Sequence, residues 1–407
     1  MSTSDPVVII GAGHGGAALA AFLRQGGFAG QVMMVGVEEH LPYHRPPLSK
    51  KFTEADHVQL LRPPEFYSDN DIQLCVGMEA TAVDRAAMRV ELADGTTLGY
   101  SALVIATGST PRRLSDFDAN SPGVVTLRTL DDAAALGDAV RARRRLAIVG
   151  GGYVGMEVAA VARSHDVPVT IIEREERILA RVASPQLSSR LSAHHERRGT
   201  DVRVGAQVVD IATRDGRPEA IELADGSSVD ADVVLVGIGA TPNDSLAVDA
   251  GLRCDAGIIV DAAGRTSDAH VYAVGDVTRR PVDGVAGLTR LESIPNATEQ
   301  ARQVAAAITG AAIPAAEVPW FWSDQFDLKL KIAGLVATED QVVIREGTKP
   351  DSFAVFHLNS DDTIRAAETV NSPGEFMAAK KFIGQRLRVK AELLGDGSVA
   401  MRDVVLG

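Results

Sequence analysis

Two stretches decide the fold: VVIIGAGHGGAALAAFL (7–23) and LAIVGGGYVGMEVAAVA (146–162). Each opens with four apolar residues and passes through G-x-G-x-x-G into an alanine-rich run, the pattern of a buried strand, a tight turn and a helix. The glycines are Gly11, Gly13 and Gly16 in the first stretch and Gly150, Gly152 and Gly155 in the second. The first of each trio permits the turn, the second lets a pyrophosphate approach the backbone, and the third lets the helix pack closely on the strand. The helix start then offers its free N–H groups to phosphate.

Working outward, VMMV (32–35) and VPVTIIE (167–173) read as the second parallel strand of each unit. Glu38 lies 22 residues past Gly16 and Glu173 lies 18 past Gly155, each expected at the end of that strand, where a carboxylate accepts from ribose hydroxyls. At Glu173 the carboxylate also repels a 2′-phosphate, which favours NADH, and the adjacent Arg174 is expected to be solvated beside Glu175 and Glu176. Each half continues through a matching hairpin into a buried strand, LADGTTLGYSALVIATG (92–108) and LADGSSVDADVVLVGIG (223–239), with turns at Asp94-Gly95 and Asp225-Gly226. One fingerprint serves a single-cofactor dehydrogenase; two suit a flavoprotein that uses a nicotinamide, one for each dinucleotide. HVYAVGD (270–276) and a helix from about Pro295 to Ile308 follow, with Ile294 read as its N-cap and Pro295 as its first residue.

From Val318 the character changes to alternating strands, LKLKI (328–332), VVIRE (342–346) and FAVFHL (353–358), and then a helix with Ser372 as N-cap and Glu375 at the capping-box position. The fold class is therefore α/β: two Rossmann-like dinucleotide-binding domains plus a C-terminal α+β domain. The expected division is 1–110 with 242–317 for the first nucleotide domain, 111–241 for the second and 318–407 for the third.

With 54 Asp and Glu against 41 Lys and Arg, the net charge of −13 argues against nucleic acid as a partner. The exception, Arg141 with Arg143, Arg144 and Arg145, reads as a solvated helix end. Residues 1–6 lack a positive leader region and no apolar run reaches membrane-spanning length, so a cytoplasmic protein without membrane insertion is expected. Cys75 and Cys254 are the only cysteines, which excludes a disulfide scaffold and a C-x-x-C metal site. Cys75, in IQLCVG, reads as a buried small hydrophobe. His14 occupies a variable slot of the first fingerprint, and neighbouring His194 and His195 are expected at the surface. No metal site is expected.

Beyond the fingerprints the chain carries PYHRPPLSK (42–50), ATG (106–108), LRTLDDA (127–133), VGIGATPN (236–243), YAVGD (272–276), RLESIPNATEQA (290–301) and PWFWSDQ (319–325). This ordered set resembles the oxygenase-coupled NADH–ferredoxin reductases, members of the glutathione-reductase-like FAD/NAD flavoproteins. The resemblance implies FAD and NADH as cofactors and a 2Fe-2S ferredoxin as partner, which receives electrons one at a time and serves a dioxygenase or cytochrome P450. It puts Lys50 beside the flavin, and Glu157, just inside the second fingerprint helix, is expected to pair with it close to the nicotinamide, the two being the candidate catalytic residues. Arg128 would bind FAD phosphates, Asp276 the ribitol and phosphate region, and Ile294 would offer its N–H to the pyrimidine edge. Arg45, Ala80, Thr107, Gly108 and Trp320 complete the flavin set, and Gly239 lies with the second fingerprint. Trp320 and Trp322 are expected on one face of a strand.

The family's usual V-G-D-E reads Val35-Gly36-Val37-Glu38 here, which leaves Glu38 alone for the FAD ribose. Disulfide reductases of the superfamily carry C-x4-C, and NADH oxidases and peroxidases a single redox cysteine, in the region that here reads RPPLSKKF. Electrons are thus expected to leave the flavin directly for an external acceptor. The other readings are an NADH:quinone or oxidase-like flavoprotein and a redox-sensing scaffold resembling apoptosis-inducing factor. For docking an acidic ferredoxin, Arg302 and the C-terminal Lys380, Lys381, Arg386, Arg388 and Lys390 are the expected basic residues.

Overall fold

Every residue of the strand Val7–Ile10 is buried, as are those of Leu146–Val149, Ala102–Ile105 and Val233–Val236. Strands with no solvated face belong in the middle of parallel sheets covered on both sides. A computed structural model of the chain describes residues 6–114, 121–337 and 340–406. Residues 1–5, on which most of the leader reading rested, lie outside them. The chain forms two compact units, Met1–His44 with Val58–Thr110 and Thr241–Pro319, and Arg45–His57 with Pro111–Ala240 and Trp320–Gly407.

In the first unit a five-stranded parallel sheet runs Val271–Ala273, Ala102–Ile105, Val7–Ile10, Val32–Gly36, Ile72–Val76. The helix His14–Gln25 follows the central strand and packs with the helix Ile294–Thr309 over one apolar cluster that includes Leu19, Leu23, Val304 and Ile308. An antiparallel sheet, Ala80–Asp84, Arg89–Leu92 and Thr97–Gly99, carries the expected hairpin, with Gly95 at φ +84° in its turn.

The second unit repeats this order: Val124–Val125, Val233–Val236, Leu146–Val149, Val169–Ile172, Asp201–Arg203, all parallel. Its hairpin sheet is Val208–Arg214, Arg217–Leu223 and Ser228–Asp230. The same unit holds a five-stranded antiparallel sheet in the order Trp320–Gln325, Leu328–Gly334, Ile364–Val370, Phe353–Leu358, Gln341–Glu346, with the helix Pro373–Gln385 over it. Arg141, at the end of the helix Leu130–Arg141, and Arg143 and Arg144 after it are exposed, while Arg145 is tied to Asp230 and Asp232.

Two expected caps are corrected. Ser293, not Ile294, caps the helix at Ile294–Thr309, because its hydroxyl accepts from Asn296 N; Ile294 is the first helical residue and Pro295 the second. Ser372 stands at its N-cap position without a capping bond, since its hydroxyl donates to Val370 O, and Glu375 turns to Arg345. Among the described residues no helix is long and apolar enough to cross a membrane.

Candidate functional site

In the first unit the three fingerprint glycines face three different surroundings. Gly11 sits at φ +118°, and a Cβ there would lie 2.1 Å from Ala106 O. A Cβ on Gly16 would lie 2.0 Å from Gly11 O, so helix and strand could not keep their contact. A Cβ on Gly13 would meet nothing within 4 Å. That glycine is not needed by the protein's own packing, and it borders open space at the start of a helix whose first turn has neither a side-chain cap nor an acidic residue. The arrangement fits a diphosphate approaching the backbone.

Around this loop Gly15 packs on Val274 and Ala297, which brings the Gly275–Val277 turn and the start of Ile294–Thr309 against the fingerprint helix. Asp276 accepts from Ser109 Oγ at 3.4 Å, and Gly275 N donates to Gln300 Oε1 at 2.6 Å. Thr107 Oγ1 donates to Asn243 O (2.7 Å) and Asn243 Nδ2 to Thr107 O (3.0 Å), with Gly108 at φ +69° receiving Asn243 N. Glu38 lies two residues beyond the strand end at Gly36, not on it, and accepts from Tyr43 Oη at 2.5 Å; Val37 is exposed. Ala80 opens its strand and packs on the lower apolar cluster of the sheet. His14 meets His44, Nε2 to Nδ1 at 3.3 Å.

The second unit is built alike. Gly150 is at φ +107° with its added Cβ 2.5 Å from Gly237 O, and Gly155 would strike Gly150 O at 2.8 Å. Gly152 would meet only Gly237 O, at 3.8 Å. Glu173 follows its strand directly; Oε2 accepts from Gly151 N (2.6 Å) and Oε1 from Glu175 N (2.9 Å), which fixes the carboxylate over the glycine turn. Arg174 is 76% exposed and pairs with Glu175. Gly239 is at φ +100°, and its carbonyl accepts from Arg112 N. Arg45 Nη1 donates to Arg128 O at 2.5 Å, while Arg128 N donates to Asp132 of the capping box that begins with Thr129.

The same unit holds the charge pair expected from the sequence, with its carboxylate buried and Lys50 partly exposed. Glu157 is 3% exposed, on the second turn of Tyr153–Ser164 and not the first. Its Oε2 takes Lys50 Nζ at 2.8 Å and Ser49 Oγ at 2.5 Å, and its Oε1 takes Ser323 Oγ at 2.6 Å. A buried carboxylate survives only when so satisfied. Sequence reasoning missed Ser49 and Ser323; S-K and W-S-D-Q show small polar residues, but nothing in one sequence says that both meet the same helix. The four residues end the Pro47–Lys50 helix, sit on the second turn of Tyr153–Ser164 and lie on Trp320–Gln325.

Trp320 and Trp322 share a face of that strand, half-buried, with ring centroids 5.8 Å apart, and Lys380 Nζ lies 5.3 Å over the Trp320 ring. Arg302 pairs with Glu317 and Arg388 with Asp362. The expectation of surface histidines is wrong: His194 is 3% and His195 0% exposed. Their helix, Pro185–Arg197, turns both toward Phe326, and burial lowers both pKa values, that of His195 to about 4. Cys75 and Cys254 are half-buried and pack on one apolar cluster, and burial raises both thiols. Neither thiol is poised as a nucleophile.

Two like-built parallel sheets, each ending in a glycine turn that leaves its second glycine open, define an oxidoreductase of two dinucleotides. The chain belongs to the pyridine nucleotide-disulphide oxidoreductase family, which matches residues 5–301, and a reductase C-terminal domain matches residues 320–405. It is 43% identical to a probable ferredoxin reductase, CtmF, of Castellaniella defragrans over 98% of each chain. It is 38% identical to putidaredoxin reductase CamA of Pseudomonas putida, over 100% of this chain and 98% of that one. The reductase in a crystal structure of the covalent putidaredoxin reductase–putidaredoxin complex superposes with TM-score 0.94 at 38% identity, covering 98% of each chain.

Proposed function

We propose that the protein is an NADH-dependent ferredoxin reductase: it passes electrons from NADH through FAD, one at a time, to a 2Fe-2S ferredoxin that serves a dioxygenase or cytochrome P450. The observation that carries this reading is the segment 45–57. Where relatives of the disulfide-reducing kind keep cysteines, it sets Lys50 in a buried pair with Glu157, so electrons have no thiol to visit. When bound, FAD supplies the conversion of a two-electron donor into single electrons.

The chain's own residues hold and orient. Gly11, Gly13 and Gly16 would take the FAD diphosphate, with Asp276, Thr107, Gly108, Arg45 and Arg128 beside the phosphates and ribitol, Glu38 at the ribose, and Ile294 N–H at the pyrimidine. Ala80 and Trp320 complete that set. Gly150, Gly152, Gly155 and Gly239 would take NADH, with Glu173 at the adenosine 2′-hydroxyl; Arg174 is drawn off by Glu175, which supports preference for NADH. Lys50 holds a positive charge for the reduced flavin, and Glu157 fixes its ammonium. The division at 1–110 with 242–317, 111–241 and 318–407 and the cytoplasmic setting belong to the same reading.

The test is direct. The purified protein should be yellow, carry a single equivalent of non-covalent FAD, and reduce an added 2Fe-2S ferredoxin with NADH. A folded protein that takes up no FAD, or holds reduced FAD unreactive toward ferredoxin, contradicts it.

A further inference from the structure

The strand Trp320–Gln325 places Phe321, Ser323 and Gln325 on one face and Asp324 on the other, where it pairs with Lys329. The inner face meets two helices. Phe321 packs edge-on against Tyr153, Ser323 reaches Glu157 one turn further along the same helix, and Gln325 reaches His195 on Pro185–Arg197. Glu157, Ser323, Gln325 and His195 are all buried, and they form a continuous line: Ser323 Oγ to Glu157 Oε1 at 2.6 Å, Gln325 Nε2 to Ser323 Oγ at 3.2 Å, and His195 Nε2 to Gln325 Oε1 at 3.0 Å.

The direction of every bond in that line is forced from one end. An ionised carboxylate only accepts, so Ser323 must give its proton to Glu157. With that proton spent, the Ser323 oxygen can only accept from Gln325, which turns the amide nitrogen inward and its oxygen outward. The amide oxygen can in turn only accept, so His195 carries a proton on Nε2. Among the described residues its Nδ1 has no hydrogen-bond partner and needs none as a bare lone pair, whereas a proton there would be an orphaned buried donor, so the ring is neutral. The lowered pKa of His195 agrees with the neutral ring.

We infer that Gln325 and His195 are positioning residues for Glu157, a one-way line of donors that holds one carboxylate oxygen so that the other stays on Lys50. The inference rests on the reading of Lys50 and Glu157 given above. Without the line, Ser323 can rotate, the carboxylate can swing, and Lys50 loses its fixed partner. A misplacement of this kind costs about tenfold in the reductive step, well short of the loss from removing the pair.

The experiment uses the FAD-loaded protein and follows flavin reduction by NADH in a stopped-flow instrument. Gln325→Met should lower the limiting rate about tenfold with NADH half-saturation unchanged, and should add nothing on top of Glu157→Gln. His195→Phe breaks the line one bond further out and should act in the same direction; it also replaces Gln325→Met should that variant not fold. His195→Gln, which keeps an N–H donor, should restore the rate. In 15N NMR His195 should be the Nε2–H tautomer, and its signal should move on Glu157→Gln. An Nδ1–H tautomer, or full additivity of Gln325→Met with Glu157→Gln, overturns the inference. A wild-type rate in Glu157→Gln overturns instead the role of Glu157, while the His195 signal still reports whether the line exists.

Discussion

Gly13 is the position where adding one methyl group separates folding from cofactor binding. Its φ of −85° and ψ of −165° suit alanine, and among the described residues the added Cβ meets no atom within 4 Å. Gly13→Ala should therefore leave the apoprotein as stable as the parent or about 0.4–1 kcal/mol more stable, through the less flexible unfolded chain. The same methyl occupies the space through which the FAD diphosphate must reach the helix start. Losing one charge-assisted hydrogen bond costs about 1.5–3 kcal/mol, which is roughly a ten- to hundredfold weaker FAD affinity. Gly152→Ala should do the same to NADH and leave FAD content unchanged, because its Cβ would meet only Gly237 O, at an unstrained 3.8 Å. Gly16→Ala is the control: a Cβ 2.0 Å from Gly11 O must push helix from strand, costing about 1–3 kcal/mol or more and lowering Tm. FAD titration of the apoprotein, NADH half-saturation and thermal unfolding measure the three effects. If Gly13→Ala weakens NADH and spares FAD, the assignment of the two fingerprints is reversed; if it unfolds the protein, the open cradle is not there.

Two other predictions concern charge. Glu173→Ala should narrow the preference for NADH over NADPH by about one to two orders of magnitude, at about 1.4 kcal/mol per tenfold, and equal wild-type efficiency with both would show that Arg174 overrides the carboxylate. His195 gives a stability effect with a definite sign: its pKa is near 4 in the folded protein against 6.5 when exposed, so between these values the unfolded chain binds the extra proton. Stability should hold above pH 6.5 and fall by about 3 kcal/mol as the pH drops toward 4, and His195→Gln should flatten that slope in denaturant titrations. An unchanged slope would mean that His195 titrates normally.

The nucleotide-binding core is legible in the sequence because its signals are local. VVII, LAIV and VVLV are buried on both faces, and the two Asp-Gly hairpins carry their own turn chemistry. The strand Ile364–Val370, IRAAETV, is not legible: its alanines and charges have weak strand propensity, and pairing with Leu328–Gly334 and Phe353–Leu358 buries them. Glu38 shows the limit of spacing rules, since the turn carries it two residues past the strand. The histidines fail for a different reason. HHER on a polar helix reads as a solvated end, and only the hairpin turn at Phe326, more than a hundred residues later, buries them. Lys50 and Glu157 could be paired from motif knowledge, but the serines that satisfy Glu157 come from tertiary packing alone.

On the proposed function, electrons pass from flavin to ferredoxin with no protein thiol on the way. The most direct test is anaerobic rapid mixing of NADH-reduced Cys75→Ser/Cys254→Ser protein with oxidised 2Fe-2S ferredoxin. NADH should reduce the flavin fully, and ferredoxin should reoxidise it at the wild-type rate, in one-electron steps. A variant that keeps its fold and FAD and is reduced by NADH, yet no longer passes electrons to ferredoxin, would contradict it.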